Sequence, residues 1–414
     1  IKSGAKYRTV PNISDLVDGI VKVKELREVR LEDLLKRDEV QIDKKKVGSY
    51  ITGKTVLVTG AGGSIGSELC RQVAKLCPKK LVLFEKAENP LFYIDNELGQ
   101  FTEKFDKIPI IGDICDRKRV REVFNKYQPD IIFHAAAHKH VPLMENNSME
   151  AIKNNVFGTK IISEEAINFH VDRFIMLSTD KAVNPTSLMG VSKKIAEMYV
   201  EAVARVNGTK FMAVRFGNVL GSEGSVVPTF KKQIERGGPV EITHPEIKRY
   251  FMTIPEAAGL VLEAGYRGRG GEIFILEMGQ QIKIYDLAKD VIRLSGKIIG
   301  KDIEIVYTGL RPGEKMYEEL FTDDEVLINT SHDKIMVLEP NNETTENMFN
   351  NIKEMEAIVS SGNMISLLEK IKEMVPTYTP GDALQKMIRK HNIQNKLDSL
   401  HSEPVADNVI NISP

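Results

Sequence analysis

The sequence predicts an α/β fold: a doubly wound parallel sheet with a smaller, interleaved lobe. Three observations predict it. From Lys54 onward, six short apolar runs alternate with segments of helical period. The runs are apolar on both strand faces, as strands are when helices cover each side of a parallel sheet. A glycine-spaced turn follows the first run directly and opens the first helix. The 414 residues are 42% hydrophobic, enough for a full core and a second one.

TVLVT (55–59) reads as the first strand. SIGSELCRQVAKL follows as a helix, with Ile65, Leu69 and Val73 at i, i+4 and i+8. LVLFE (81–85) precedes PLFYIDNELGQFTEKF, and IPIIGD (108–113) precedes DRKRVREVFNKY. DIIFHAAA (130–137) precedes the long helical stretch SMEAIKNNVFGTKIISEEAINF. FIMLST (174–179) leads to a helix from about Val191, and FMAVRF (211–216) closes the series. Right-handed crossovers then set the topology. After Asn218 the rhythm breaks at Gly221, Gly224, Pro228, Gly237, Gly238 and Pro239, with helices resuming around Pro255–Tyr266 and Ile284–Leu294.

These changes divide the chain into an appendage over 1–52, a sheet core over 53–220, an interleaved lobe over 221–345, and a helical extension with a flexible tail over 346–414. Within the appendage, VPNISDLVDG suggests a helix capped by Asn12 or Ser14, and DKKKVGSYITGK reads as a basic linker. In the extension, Met348, Ile352, Met355 and Ile358 fall near a helical period. From about Asn392 the chain is polar and unpatterned, and disorder is expected there.

The net charge is -1, which argues against nucleic-acid binding driven by bulk charge. Cys70 and Cys77 share one expected helix and lie roughly 10 Å apart, too far for a disulfide. With Cys115 they read as free thiols of a reducing compartment. No apolar run approaches the ~20 residues of a bilayer span. The chain opens on Ile1 without a signal peptide and reads as a fragment of something longer, so an anchor in the missing part stays open. A homo-oligomer stays open too. His138 and His140 flank Lys139 without further ligands, so no metal site is expected.

Gly60, Gly63 and Gly66 form a G-x-x-G-x-x-G turn with Ser64 and Ile65. Bare backbone there can approach a pyrophosphate, and the helix N-terminus supplies N–H donors. Glu85 ends the second strand about 20 positions on, placed to accept from both ribose hydroxyls. Its charge disfavours a 2′-phosphate, so NAD is expected over NADP, with Lys86 as the neighbour that speaks against that choice. Asp113, followed by Ile114, is placed for the adenine amine. Ala135, Ala136 and Ala137 complete the wall after strand four.

Thr179, Asp180 and Lys181 put a hydroxyl, a carboxylate and an amine at the carboxyl end of the fifth strand, the edge where open α/β sheets bind ligands. Lys193 enters from the following helix. The glycine spacing, the HAAA strand end and this lysine resemble the extended short-chain dehydrogenase/reductase superfamily, a Rossmann fold in which a serine or threonine works with Tyr-x-x-x-Lys. Here Met189-Gly190-Val191-Ser192-Lys193 carries methionine at the tyrosine position.

Thr179-Asp180-Lys181 with Met189 and Lys193 resembles the membrane-anchored nucleotide-sugar 4,6-dehydratases of bacterial polysaccharide and glycan synthesis. So do AAAHKHVPLME (135–145), RFGNVLGSEGSVVP (215–228), KRYFMT (248–253), RPGEK (311–315) and the N-terminal VPNISDLVDG…REVRLEDLL. The resemblance implies bound NAD, a UDP-N-acetylglucosamine substrate and retained C5 configuration. It also implies that residues 1–52 end a preceding domain, and that the parent protein sits in the inner membrane with this part facing the cytoplasm.

A 4,6-dehydration is redox-neutral. Oxidation at C4 acidifies the C5 proton, a base removes it, and an acid protonates the departing C6 hydroxyl. Lys181 is assigned as the C5 base and Asp180 as the C6 acid. Free amines and carboxylic acids titrate in the wrong ranges for these jobs, so both are expected to shift toward neutrality. Lys193 is expected to hold the nicotinamide ribose, and Thr179 to bond O4, through a water where the phenol is missing. Met189 either shapes the site or packs against the sheet. For the substrate, Arg249 and Arg311 are the diphosphate forks. Glu314 is placed for the uridine ribose, Asn218 for a phosphate or the sugar, and Lys139 for the sugar. Asn155 is expected to brace the backbone. The competing readings are a UDP-sugar C4 epimerase and a non-catalytic NAD-binding scaffold.

Overall fold

The computed structural model describes residues 42–102, 104–206, 208–339, 345–381, 384–390 and 393, with a short antiparallel pair, Arg8–Thr9 and Arg27–Glu28. The helix expected at Asn12 or Ser14 and, apart from Ile393, the tail from Asn392 lie outside the described residues.

Among the described residues, nine strands form the main sheet. They are β1 (Thr55–Thr59), β2 (Lys80–Glu85), β3 (Asp106–Ile111), β4 (Ile131–His134), β5 (Arg173–Leu177), β6 (Lys210–Arg215), β7 (Ile273–Leu276), β8 (Leu327–Asn329) and β9 (Ile335–Leu338). Their order is β3-β2-β1-β4-β5-β6-β7-β9-β8. β1 to β7 run parallel, while β9 and β8 are antiparallel additions at one edge. The six runs read from sequence are the first six of these strands. The last three are drawn from the region after residue 221, so that region is threaded back into the sheet.

Helices cover both faces, which is why the inner strands carry apolar residues on each side. One face holds α1 (Lys44–Ile51), α2 (Ser64–Ala74), α3 (Glu88–Leu98) and, entering later, α8 (Ile254–Arg267). The other holds α4 (Arg117–Tyr127), α5 (Gly158–Asn168), α6 (Leu188–Ala204) and the C-terminal α10 (Thr345–Ser361) and α11 (Met364–Met374). A second cluster, with Val227, Phe230, Ile234, Leu287, Val291 and Ile303, sits between α7 (Val226–Glu235), α9 (Ile284–Leu294) and a parallel pair, Val240–Ile242 with Ile305–Tyr307.

Two stretches differ from their sequence reading. DKKKVGSYITGK is a helix rather than a linker. Asp43 caps it by accepting from Lys45 and Lys46 N–H, and Val47, Tyr50 and Ile51 are buried on the main core. The lysines occupy the solvent face, so the charge run hid an i, i+3, i+4 apolar stripe. The helix expected over 148–169 is interrupted: Ser148–Ile152 is α-helical, Lys153–Phe157 is a π-turn, and α5 follows. Such turns cluster at functional sites, and this one carries Asn155.

Candidate active site

Strand order reverses between β1 and β4, and the crevice at the carboxyl ends of these two strands is where a ligand of this fold sits. The glycine turn fills its floor. Gly60 has φ 65°, and a Cβ on Gly66 would lie 2.0 Å from Gly60 O, so only glycine lets α2 start this close to the strand. Gly63 caps α2 without a side-chain bond, leaving the first helical N–H groups of Ser64 and Ile65 to a ligand. Ser64 Oγ accepts from Glu223 N–H at 3.1 Å, so the loop after β6 reaches over the turn.

Glu85 is fixed by two backbone donors, Gly62 N–H at 3.1 Å and Ala87 N–H at 2.9 Å. Lys86 does not stand free beside it: its amine pairs with Asp113 at 2.8 Å. Burial pushes the Asp113 carboxyl up, but Lys86 and Cys115 N–H outweigh that and hold it low. The cation that argued for a 2′-phosphate is thus neutralised. Ile114 is buried against Gly158, and Ala136 packs on Gly60. Ala135 N–H extends the β1 ladder to Thr59 O, and Ala137 is exposed at the rim. The cradle, its open helix end and the anchored carboxylate fit a dinucleotide.

Behind the cradle, Thr59 Oγ lies 2.8 Å from His134 Nδ1, His134 Nε2 lies 3.0 Å from Thr159 Oγ, and Thr159 donates to Asn155 O at 2.7 Å. Burial, helped by Lys193, pushes His134 down to about 3, so it is neutral. Lys193 is 4% exposed and its amine makes no hydrogen bond among the described residues; burial pushes it down to about 8, against the pull of Glu197. A buried amine without a partner marks a place where something polar docks.

The catalytic candidates converge at the end of β5. Thr179 caps a single 3₁₀ turn, Asp180–Ala182, and its hydroxyl donates to Asp180 Oδ1 at 2.9 Å. Lys181 Nζ donates to the same oxygen at 2.9 Å and to Asn218 Oδ1 at 3.2 Å. Asp180 is fully buried, and its Oδ2 has no hydrogen-bond partner among the described residues. α6 can start against this turn only because residue 190 is glycine: a Cβ there would lie 2.2 Å from Lys181 O.

Burial alone would push Lys181 down, but Asp180 and Glu318 outweigh it and raise the amine above its usual range. In the ligand-free protein the expected shift of Lys181 toward neutrality is thus reversed, because Asp180 and Glu318 both face it. Met189 is 3% exposed and packs in a small cluster with Met144 and Ala151. Asn155 clamps His138 through both backbone groups, at 2.8 and 3.0 Å, and donates to Ser192 at 2.9 Å.

Lys181 opens onto a cavity also lined by Val141, Thr186, Arg249, Arg311, Glu314 and Glu318. Arg311 is exposed at its rim and available to an anion. Arg249 is not. Its guanidinium donates to Lys248 O, Met316 O and Lys315 O and pairs with Glu314 at 3.4 Å. In this ligand-free arrangement the donors expected to grip a diphosphate hold the carbonyls of Lys248, Lys315 and Met316 instead. Glu314 also accepts from Thr243 and from Arg311 N–H, which leaves it closing its own loop. Asn218 is directed at Lys181. Lys139 is exposed after β4, facing Glu223.

Three groups were not singled out from sequence. Glu318 is 4% exposed, 3.7 Å from both Lys181 Nζ and Arg249 Nε, and burial pushes its carboxyl up. It lies just past RPGEK, in MYEEL, and that adjacency was the available signal. Arg215, fully buried, pairs with Glu197 at 2.8 Å and Glu325 at 3.1 Å and donates to Leu320 O. Glu145 accepts from Leu188 N–H at the start of α6, and burial raises its carboxyl.

Residues 56–340 match the family model described as polysaccharide biosynthesis protein. The capsular polysaccharide biosynthesis protein CapD of Staphylococcus aureus is 52% identical over 334 residues, 80% of this chain and 56% of that protein. The chain thus spans about half the length of that relative. A UDP-N-acetylglucosamine 4,6-dehydratase (inverting) of Campylobacter jejuni is 33% identical over 294 residues, 70% of this chain and 83% of that one. A UDP-glucose 4-epimerase of Rickettsia felis is 36% identical over 280 residues, 66% of this chain and 79% of that one. Among the described residues, no helix is long and apolar enough to cross a membrane.

Proposed function

Because the chain belongs to the polysaccharide biosynthesis protein family, matched over residues 56–340, we propose that it is an NAD-dependent hydro-lyase that converts UDP-N-acetylglucosamine to the UDP-4-keto-6-deoxy sugar. The observation that carries this reading is the Asp180–Lys181 contact at the end of β5, with Lys181 opening onto the cavity. NAD, when bound, supplies the redox exchange that oxidises C4 first and reduces C6 last. Gly60, Gly63, Ser64, Ile65 and Gly66 hold its pyrophosphate, Glu85 its ribose, Asp113 and Ile114 its adenine, and Ala135 to Ala137 the facing wall. Lys193 holds the nicotinamide ribose and favours loss of the O4 proton. Thr179 bonds O4 through a water.

In the ligand-free protein, Lys181 carries the proton that Asp180 needs. The sugar displaces water, which disfavours separated charges, and the proton passes across the 2.9 Å contact to Asp180 Oδ1. Lys181 Nζ, now a neutral amine, removes the C5 proton. Asp180 protonates the C6 oxygen as it leaves. Lys181 returns its proton to C5, and the proton lost from O4, passed out through the water at Thr179, restores the Lys181 ammonium. Arg311 binds the diphosphate, Glu314 the uridine ribose, and Asn218 and Lys139 the sugar. We further propose retention at C5, which rests on the resemblance at Met189. The word "inverting" belongs to the name of the Campylobacter protein. As part of a longer parent, the chain is the cytoplasmic half of a membrane-anchored enzyme of polysaccharide synthesis.

The 36% identity to an epimerase favours a second reading, C4 epimerisation of a UDP-sugar. An epimerase needs no acid at C6, and the Asp180–Lys181 pair would then have no task. Incubation with UDP-N-acetylglucosamine and NAD separates them: dehydration loses one water by mass and, in D₂O, labels C5. Lys181→Ala is expected to lower turnover by about 10²–10⁴-fold while UDP-sugar binding persists. No 4-keto product from the wild-type protein would sink the dehydratase reading.

A further inference from the structure

We propose that Glu318 is a positioning residue of this reaction, acting through Lys181: its carboxylate fixes Nζ against Asp180 and keeps the proton on Lys181 until the sugar fills the cavity. The inference rests on the dehydratase reading above.

Charge balance alone does not call for Glu318. Lys181 already has Asp180 as a counter-ion at 2.9 Å, and Arg249 has Glu314 and three backbone carbonyls. Glu318 is the surplus carboxylate. Both cations lie 3.7 Å from its Oε1, and its Oε2 is buried without a hydrogen-bond partner among the described residues. Burying an under-satisfied carboxylate is unfavourable, and such groups concentrate at functional sites. Its companion in this respect is Asp180, whose Oδ2 is likewise orphaned. Two carboxylates therefore flank one amine, each with a free buried oxygen, on the wall of the cavity.

The position of Glu318 is over-determined by the backbone. Arg249 grips the segment on one side, at Lys315 O and Met316 O, and Arg215 grips it on the other, at Leu320 O. The charged groups facing Glu318 are Asp180 and Lys181 from the 3₁₀ turn, Arg249 from its short strand, and Lys315 from its own segment. Lys315 is itself held to Val183 O at 2.8 Å. Of these, Lys181 alone both opens onto the cavity and touches Asp180. A negative group fixed here stabilises the ammonium, and its removal makes the neutral amine easier to form.

The test is Glu318→Gln in the full chain, with Glu318→Asp beside it. Removing the charge is expected to move the kcat–pH profile toward acid by about one unit or more, with KM for the sugar nucleotide held within about twofold. Glu318→Asp draws the charge back by one methylene and is expected to shift the profile the same way by less; it stands in if the Gln variant does not fold. A second readout needs no turnover: titration of the Lys181 ammonium by NMR of lysine-labelled protein, the resonance assigned by its loss in Lys181→Met. It is expected to fall by a similar amount. An unmoved profile and an unmoved titration, in protein that folds normally, overturn the proposal. If the wild-type protein makes no 4-keto sugar, the dehydratase reading falls, and the titration still decides whether Glu318 governs Lys181.

Discussion

Lys193 gives the sharpest quantitative expectation. Its amine is 4% exposed, has no hydrogen-bond partner among the described residues, and is pushed by burial from 10.5 to about 8. Below pH 8 both folded and unfolded chains carry the proton, so the folded state bears the whole cost of the buried charge. As pH rises through 8, the folded state sheds the proton first, and the cost declines until the unfolded lysine also titrates near 10.5. Stability from this group therefore rises with pH across that window. The two values place the cost at about 3 kcal/mol at pH 7 and about 1 kcal/mol at pH 9.5. Lys193→Met keeps the length of the side chain and removes the charge. The variant is expected to be more stable than wild type by about 3 kcal/mol at pH 7, an advantage that shrinks toward about 1 kcal/mol at pH 9.5. Urea unfolding of cofactor-free protein at the two pH values measures both differences, and other titrating groups cancel between the two proteins. A variant no more stable than wild type at pH 7, or a difference independent of pH, would refute the reasoning.

Two further outcomes follow from the packing. Arg215→Met leaves Glu197 buried without its cation and is expected to cost about 3–5 kcal/mol in the same unfolding assay. Gly190→Ala forces its Cβ, otherwise 2.2 Å from Lys181 O, to push α6 off the 3₁₀ turn. Turnover is expected to fall by roughly 10²-fold, as a misplacement of about 1 Å does, with circular dichroism unchanged.

The sheet was legible because its code is local. β1 to β6 each carry apolar residues on both faces, and each is followed by a helical period, so no distant contact is needed to find them. The glycine turn was legible for the same reason. β7, at IFIL, carries the same signal but sits among glycines and prolines that read as a separate lobe. α1 was misread because its buried Val47, Tyr50 and Ile51 stand among lysines. The site was legible only as far as one strand end could carry it. Thr179, Asp180 and Lys181 are consecutive, and their mutual contacts follow from that. What sequence does not display is competition for a side chain's donors. Arg249 looks like a free fork until the carbonyls of residues 248, 315 and 316 arrive around it. For Lys181 the adjacent Asp180, the larger of the two influences that raise the amine, was in view but underweighted against burial, and Glu318, the second, approaches from a remote segment.

The two arginines that grip residues 314–325 also limit how the proposed enzyme could be re-targeted. Exchanging that stretch for one suited to another sugar would have to carry over a carbonyl at Leu320 and a carboxylate at Glu325. Otherwise β6 would keep a guanidinium in its interior with half its acceptors gone. Loop grafting here is coupled to the integrity of the sheet, and useful chimaeras should be cut outside the clamps, never between them.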